Sequence, residues 1–286
     1  MDTLPRHLDS EQWAIGADDL LVRRGRPWAR EKLFYIERYI DIFNSGMKRS
    51  WSRRAYVDLF SGPGRVLMED GSEADGSALL ALKSKVPFTD VFCNDIEPAA
   101  IEALRARFPS GSSVNTVEYM TLDCNQAAIE IKSHLPSNSL DLAFIDPTNW
   151  QIAFETIAKL TAGRRMDLII TFHVGGMKRA AEYSPASLDA FFGTPKWGSA
   201  YEASVKAGRR EGSRILLDCY MQQLRRIGYL WTVDDVRITN TRHMGLYHLV
   251  FASKNPRGED FWRKITDRSA EGQLRMFREV PAPYDA

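Results

Sequence analysis

At 286 residues, with 44% hydrophobic and 26% charged side chains, the chain is long enough for one substantial core with appendages, or at most two domains. Its 38 basic and 37 acidic residues leave a formal charge of +1, which excludes a global field drawing the whole surface onto nucleic acid. Three widely spaced cysteines, Cys93, Cys124 and Cys219, argue against a zinc ribbon or iron–sulfur cluster. No apolar run reaches signal-peptide or membrane-spanning length, so a cytoplasmic protein without membrane contact is expected.

Apolar residues from Trp28 to Phe43 (Leu33, Phe34, Ile36, Tyr39, Ile40, Phe43) recur at helical spacing and predict an amphipathic helix. Strand signals then alternate with helix signals. Ala55 to Phe60 reads as a strand and Ser77 to Lys83 as a helix. Val91 to Asn94 is a strand, and Pro98 to Phe108 a helix with Ile101, Leu104 and Phe108 on one face. Val114 to Leu122 and Ala127 to His134 continue the pattern, followed by Leu140 to Ile145, Gln151 to Thr161 and Met166 to Phe172. Short apolar strands alternating with helices indicate a parallel sheet covered on both faces. Gly175 to Arg214 interrupts the alternation with the aromatics Tyr183, Phe191, Phe192, Trp197 and Tyr201, and a segment this long predicts a lid or recognition insert. After a helix at Ile215 to Ile227, Leu230 to Ile238 and Leu246 to Ser253 read as a hairpin joined by Thr239 to Gly245, and the last thirty residues as a helix and a loose tail.

In an open α/β sheet, ligands lie beyond the carboxyl ends of the strands, near the switch in strand order. Polar residues gather at those ends: Asp58 with Gly62-Pro63-Gly64, then Asn94-Asp95-Ile96-Glu97, Asp123-Cys124-Asn125 and Asp146-Pro147-Thr148-Asn149. The glycines let backbone approach a ligand where a Cβ would clash. A dinucleotide fingerprint needs a third glycine, and position 67 is Leu. Asp95 stands where an acid accepts both ribose hydroxyls of a nucleoside, the favoured reading over capping the following helix, for which Glu97 is an equally good candidate. Asp123 suits an exocyclic amine, with the Cys124 N–H available to the ring. Asp146-Pro147 either orients an acceptor or merely initiates a turn. His173 follows a strand and is either an acceptor-side base or a structural histidine. Phe92, Asp123 and Asp218 precede the three cysteines, which disfavours a cysteine nucleophile of the pyrimidine-methylating kind.

Basic residues cluster early, and Arg49, Arg53 and Arg54 around Trp51 could pair phosphate contact with base stacking or be a solvated face.

The run Tyr56-Val57-Asp58-Leu59-Phe60-Ser61-Gly62-Pro63-Gly64-Arg65 contains D-x-F-x-G-x-G, which resembles the first motif of the S-adenosylmethionine (SAM)-dependent methyltransferases. That resemblance implies a Rossmann-like α/β fold, mostly parallel, with a terminal antiparallel hairpin. It also implies an acid near the methionine ammonium and glycines beneath the cofactor. The implied cofactor set is Asp58, Phe60, Gly62, Pro63, Gly64, Asp95, Ile96, Asp123 and Cys124. Amino-group methyltransferases carry an acid or amide, then Pro-Pro and an aromatic, at the fourth strand end. Here Asp146-Pro147-Thr148-Asn149 lacks the second proline and Trp150 comes one place late. The implied acceptor side is Asp146, Pro147, Asn149 and His173.

The ordered set of that run with Gly76-Ser77, Pro87-Phe88, Phe144-Ile145-Asp146-Pro147, Phe191-Phe192-Gly193 with Trp197, Gly228-Tyr229 and Tyr247-His248-Leu249-Val250-Phe251-Ala252-Ser253-Lys254 resembles the three-Cys-motif partner proteins. The resemblance implies a partner similar to radical-SAM enzymes and a nucleic-acid modification setting, with DNA or RNA as a possible ligand. The expected layout is an N-terminal helical extension (1–50), a methyltransferase-like domain (51–255, with the inserted lid at 175–214) and a C-terminal helix and tail (256–286). The expected function is methyl transfer from SAM to a nucleic acid or nucleotide-like acceptor. The alternative is a non-catalytic binding partner of the same fold that presents a nucleic-acid or protein target.

Overall fold

A computed structural model describes residues 4–26, 28–109, 114–173, 176–239 and 245–267. In chain order the elements are β1 (Trp13–Ile15), β2 (Leu21–Arg24), α1 (Ala29–Met47), β3 (Arg54–Asp58), β4 (Arg65–Leu67), β5 (Glu73–Asp75) and α2 (Ser77–Leu82). There follow β6 (Asp90–Asn94), α3 (Pro98–Arg107), β7 (Thr116–Met120), α4 (Cys124–His134), β8 (Leu140–Ile145), α5 (Phe154–Thr161) and β9 (Arg165–His173). The chain continues through α6 (Met177–Tyr183), α7 (Pro185–Phe192), α8 (Trp197–Ala207), α9 (Arg209–Arg226), β10 (Trp231–Thr239), β11 (Gly245–Ser253) and α10 (Pro256–Thr266).

The central sheet has seven strands in the order β7-β6-β3-β8-β9-β11-β10. The five strands from β7 to β9 are parallel, while β11 runs antiparallel to both β9 and β10. This is the expected methyltransferase-type α/β fold with its terminal hairpin, whose connecting turn lies outside the described residues. The chain moves outward from β3 through β6 to β7, then returns to β8 on the other side. The switch in strand order therefore falls between β3 and β8, where a crevice opens.

Period-two alternation divides the strands between two cores. Ala55, Val57, Ala143, Ile145, Leu168 and Ile170 face a layer built from α4, α5, α7 and α9. Tyr56, Leu142, Phe144, Ile169, Leu249 and Phe251 face α1, α2 and α10. Both faces are covered, which explains why these strands read as continuous apolar runs.

Two parts of the layout differ from the sequence expectation. Residues 29–47 are helical as expected, but ahead of them β1 and β2 form a hairpin that joins β4 and β5 in a second, four-stranded sheet. Strands of three or four residues are too short to show alternation. Arg107 anchors this sheet: it donates to Asp18 (2.7 and 2.8 Å), to the Leu21 carbonyl (2.7 Å) and to the Pro63 carbonyl (2.6 Å). The expected lid is instead an added helical layer. Phe191 and Phe192 are buried against Phe172 and Tyr220, Trp197 stacks on Phe192, and only Tyr183 among the five insert aromatics is largely exposed, at 81%. No described residue of the insert lines the crevice. Its buried aromatics answer an apolar strand face. The expected C-terminal helix is α10, and the tail beyond residue 267 lies outside the described residues.

Candidate functional site

The crevice is a cleft of about 620 Å³, within the roughly 300–1,000 Å³ of ordinary ligand pockets. Its floor is the Phe60–Gly64 turn, its side walls are the ends of β6, β7 and β8, and its roof is the β1–β2 hairpin with the start of α1.

The glycine turn is built for close approach. Gly62 has φ 57° and nothing within 4 Å of where a Cβ would stand, while Gly64 (φ 85°) would drive a Cβ to within 2.7 Å of Leu104. One glycine thus leaves open space for a ligand, and the other lets the turn pack on α3. Asn94 ties three strand ends together. Its amide donates to the Leu59 (3.2 Å) and Leu122 (3.1 Å) carbonyls and accepts from the Leu122 N–H (3.0 Å). Next to it, the two oxygens of Asp95 accept from the Gly62 and Glu97 N–H groups, both at 2.9 Å. Burial raises the Asp95 carboxyl and these hydrogen bonds oppose the rise. Ile96, 73% exposed, offers an apolar face at the mouth. Asp123 caps α4 by accepting from the Asn125 N–H (2.9 Å) and stands on the rim beside buried Cys124. The capping role open for Asp95 belongs to Glu97, whose carboxylate accepts from the Ala99 N–H (3.1 Å).

Of the cofactor set, Phe60, Gly62, Pro63, Gly64, Asp95, Ile96, Asp123 and Cys124 converge on the cleft. Asp58 does not. It is fully buried beneath the floor, accepting from Ser77 Oγ (2.6 Å), the Phe60 N–H (3.2 Å) and Tyr56 Oη (3.4 Å). Burial pushes its carboxyl up to about 7, against the Ser77 hydrogen bond. Asp58 braces the turn from below, because residue 58 shares the strand face of Tyr56 and points at α2.

On the acceptor side, Asp146, Pro147 and His173 line the cleft, and Asn149 does not. Asn149 is exposed, its N–H bound to Gln151 Oε1 (3.0 Å), and Gln151 lines the cleft in its place. Asp146 forms an ion pair with Lys32, which reaches over from the first turn of α1. Burial alone would raise the Asp146 carboxyl, but the adjacent ammonium outweighs it and holds the group below the usual carboxylate range. Burial lowers His173, opposed by the Asp146 charge, so the imidazole is held towards its neutral form. Tyr247 is buried beside this end. Its ring lies 5.4 Å from His173 and 5.7 Å from the Lys32 ammonium.

The expected nucleic-acid group is dispersed. Arg54 is only 6% exposed and donates to Asn44 Oδ1 (3.0 Å) and to the Trp51 (2.7 Å) and Pro87 (2.9 Å) carbonyls. Arg53 grips buried Asp90 through two hydrogen bonds (3.0 and 2.5 Å). The Arg165 guanidinium covers the Trp51 ring at 5.2 Å, and Arg49 and Arg53 are exposed. All four precede or begin β3, at the end of the sheet opposite the cleft.

Lys32, Trp28, Arg23 and Tyr247 stand at or beside the site without having been expected there. Lys32 and Arg23 were visible only as members of a basic run. Tyr247 could have been found from strand parity, since it shares with Leu249 and Phe251 the face turned to α1.

No protein-family model matches the chain, and no curated protein matches it. Among solved structures, protein LPL1258 from Legionella pneumophila, of the family model DUF519, matches with a TM-score of 0.52 at 10% identity, covering 84% of this chain and 92% of that chain. The N-methyltransferase NodS from Bradyrhizobium japonicum, in complex with S-adenosyl-L-homocysteine, matches with a TM-score of 0.39 at 10% identity, covering 80% of this chain and 89% of that one. The first likeness is one of fold, and the second is too distant to carry an argument. Among the described residues, no helix is long and apolar enough to cross a membrane.

Proposed function

We propose that this chain is a SAM-dependent methyltransferase, acting in the cytoplasm on a nucleic acid or nucleotide-like acceptor, together with the radical-SAM-like three-Cys-motif partner that the sequence resemblance implies. The observation that carries the reading is Asp95. Each of its oxygens already accepts one backbone N–H, which fixes the carboxylate and leaves a lone pair on each oxygen for a vicinal diol. The residues around it fit the rest of a nucleoside cofactor. Gly62 leaves open space over the turn, Ile96 gives an apolar face to a flat base, and Asp123 stands on the rim to accept from an exocyclic amine. When bound, SAM supplies an electrophilic methyl group. The chain's own residues hold and orient, and Asp146 and His173 at the far end of the cleft bind the acceptor and take its proton.

A second reading, a binding partner that keeps the fold without transfer, is favoured by one observation: Lys32 already engages the Asp146 carboxylate that an acceptor would use. Calorimetric titration and a labelled-methyl assay separate the two. Wild type should bind SAM and S-adenosylhomocysteine, and Asp95→Ala should weaken both by more than about tenfold. Asp146→Ala should lower transfer to DNA, RNA or nucleotides while leaving S-adenosylhomocysteine affinity nearly unchanged, with the partner present or absent. No binding by wild type sinks the cofactor reading. Binding without transfer to any acceptor, with or without the partner, selects the second.

A further inference from the structure

The acceptor end of the cleft is not the open carboxylate that amine binding requires. Lys32 and Asp146 are 18% and 22% exposed, so the pair faces the cleft rather than bulk solvent. The Lys32 ammonium is in effect a tethered amine already seated on the carboxylate. Asp146 lies within the electrostatic reach of Asp58 and Arg23, and both of these also feel Asp95. The cations Lys32 and Arg23 therefore offset a group of carboxylates that would otherwise draw in a positive ligand. An ammonium has three N–H donors, and among the described residues one goes to Asp146, leaving two for a ligand. Beside it stands His173, with a ring able to accept a proton. Donors and a base lining the same end of the cleft complement an oxygen that carries or develops negative charge, and repel a protonated amine.

We propose that Lys32 sets the charge preference of the acceptor subsite, so that the site takes an ionisable oxygen acceptor and refuses an amine. This rests on the methyltransferase reading of the cleft. In the transfer, the bond formed is oxygen–carbon and the bond broken is sulfur–carbon, whose electron pair stays on sulfur. The acceptor's proton passes to the imidazole of His173, and Lys32 holds the oxygen as its charge develops.

The preference can be read without knowing the acceptor, by comparing S-adenosylhomocysteine with sinefungin, a cofactor analogue bearing a protonated amino group where the sulfonium methyl would project. Wild type should bind sinefungin no more tightly than the neutral thioether. Lys32→Met should improve sinefungin relative to the thioether by about tenfold, because Asp146 is then free to accept the amine. Lys32→Arg, which retains the charge, should keep the wild-type ratio. Lys32→Gln serves as the uncharged variant should Lys32→Met fold poorly, as judged by circular dichroism. A gain below roughly threefold in the uncharged variant overturns the proposal, and so does a wild type that already prefers sinefungin by that margin. If wild type binds neither compound, the cofactor reading itself fails, an outcome distinct from an unmoved ratio.

Discussion

The Asp95 carboxylate reaches back across 33 positions of sequence to the Gly62 amide, at 2.9 Å. The contact joins the ends of two adjacent strands, so the acid proposed to hold a ribose also sets the shape of the glycine turn. Asp95→Asn should therefore weaken SAM binding almost as much as Asp95→Ala. An amide nitrogen in place of one oxygen would face a backbone N–H, donor against donor. Calorimetry on both variants checks this, and retention of wild-type affinity by Asp95→Asn would refute it.

Asp58 makes stability depend on pH. Its carboxyl is raised to about 7 by burial, so the folded state holds the proton more tightly than the unfolded chain does. That contribution is complete below the unfolded value of about 3.9 and is lost as pH rises through about 7. Asp58→Asn mimics the protonated acid and should lack this dependence. Thermal melts at pH 5 and pH 8 should show wild type losing more stability than the variant between the two. Parallel losses would show that Asp58 does not titrate in this range.

Arg54 and Arg49 should behave oppositely. Arg54→Ala strands the Asn44 side-chain oxygen and two carbonyls in a buried setting, and should destabilise the fold by roughly 3 kcal/mol or more. Arg49→Ala removes an exposed charge and should change stability by less than about 0.5 kcal/mol. Urea unfolding distinguishes them, and equal small effects would mean that Arg54 is not a structural residue.

Arg107 pins the cleft's roof to its floor. Asp18, its partner on the roof side, is held down to about 2, chiefly by the hydrogen bonds from Arg107. Arg107→Ala should free the β1–β2 hairpin, seen as faster cleavage near residues 16–20 in limited proteolysis and as weaker SAM binding. Cleavage at the wild-type rate would show that other contacts hold the hairpin in place.

Strand alternation and turn chemistry are local properties, and the sequence by itself determined what depends on them. It yielded the strands around Val57, Phe92, Ala143 and Leu168, the glycine turn at Gly62, and the acids Asp95, Asp123 and Asp146 at successive strand ends. Parity could also have placed Asp58, Asp146, His173 and Tyr247 on one face of the sheet. Only the tertiary structure decided what covers that face. Asp58 meets α2 and is sealed beneath the floor, while Asp146 meets the first turn of α1 and is paired with Lys32, 114 positions earlier. Phe191, Phe192 and Trp197 of the insert fill an apolar layer, and Arg54 became a buried strut. In each case the residue's role followed from which distant element packed over it, and neither spacing nor composition records that choice.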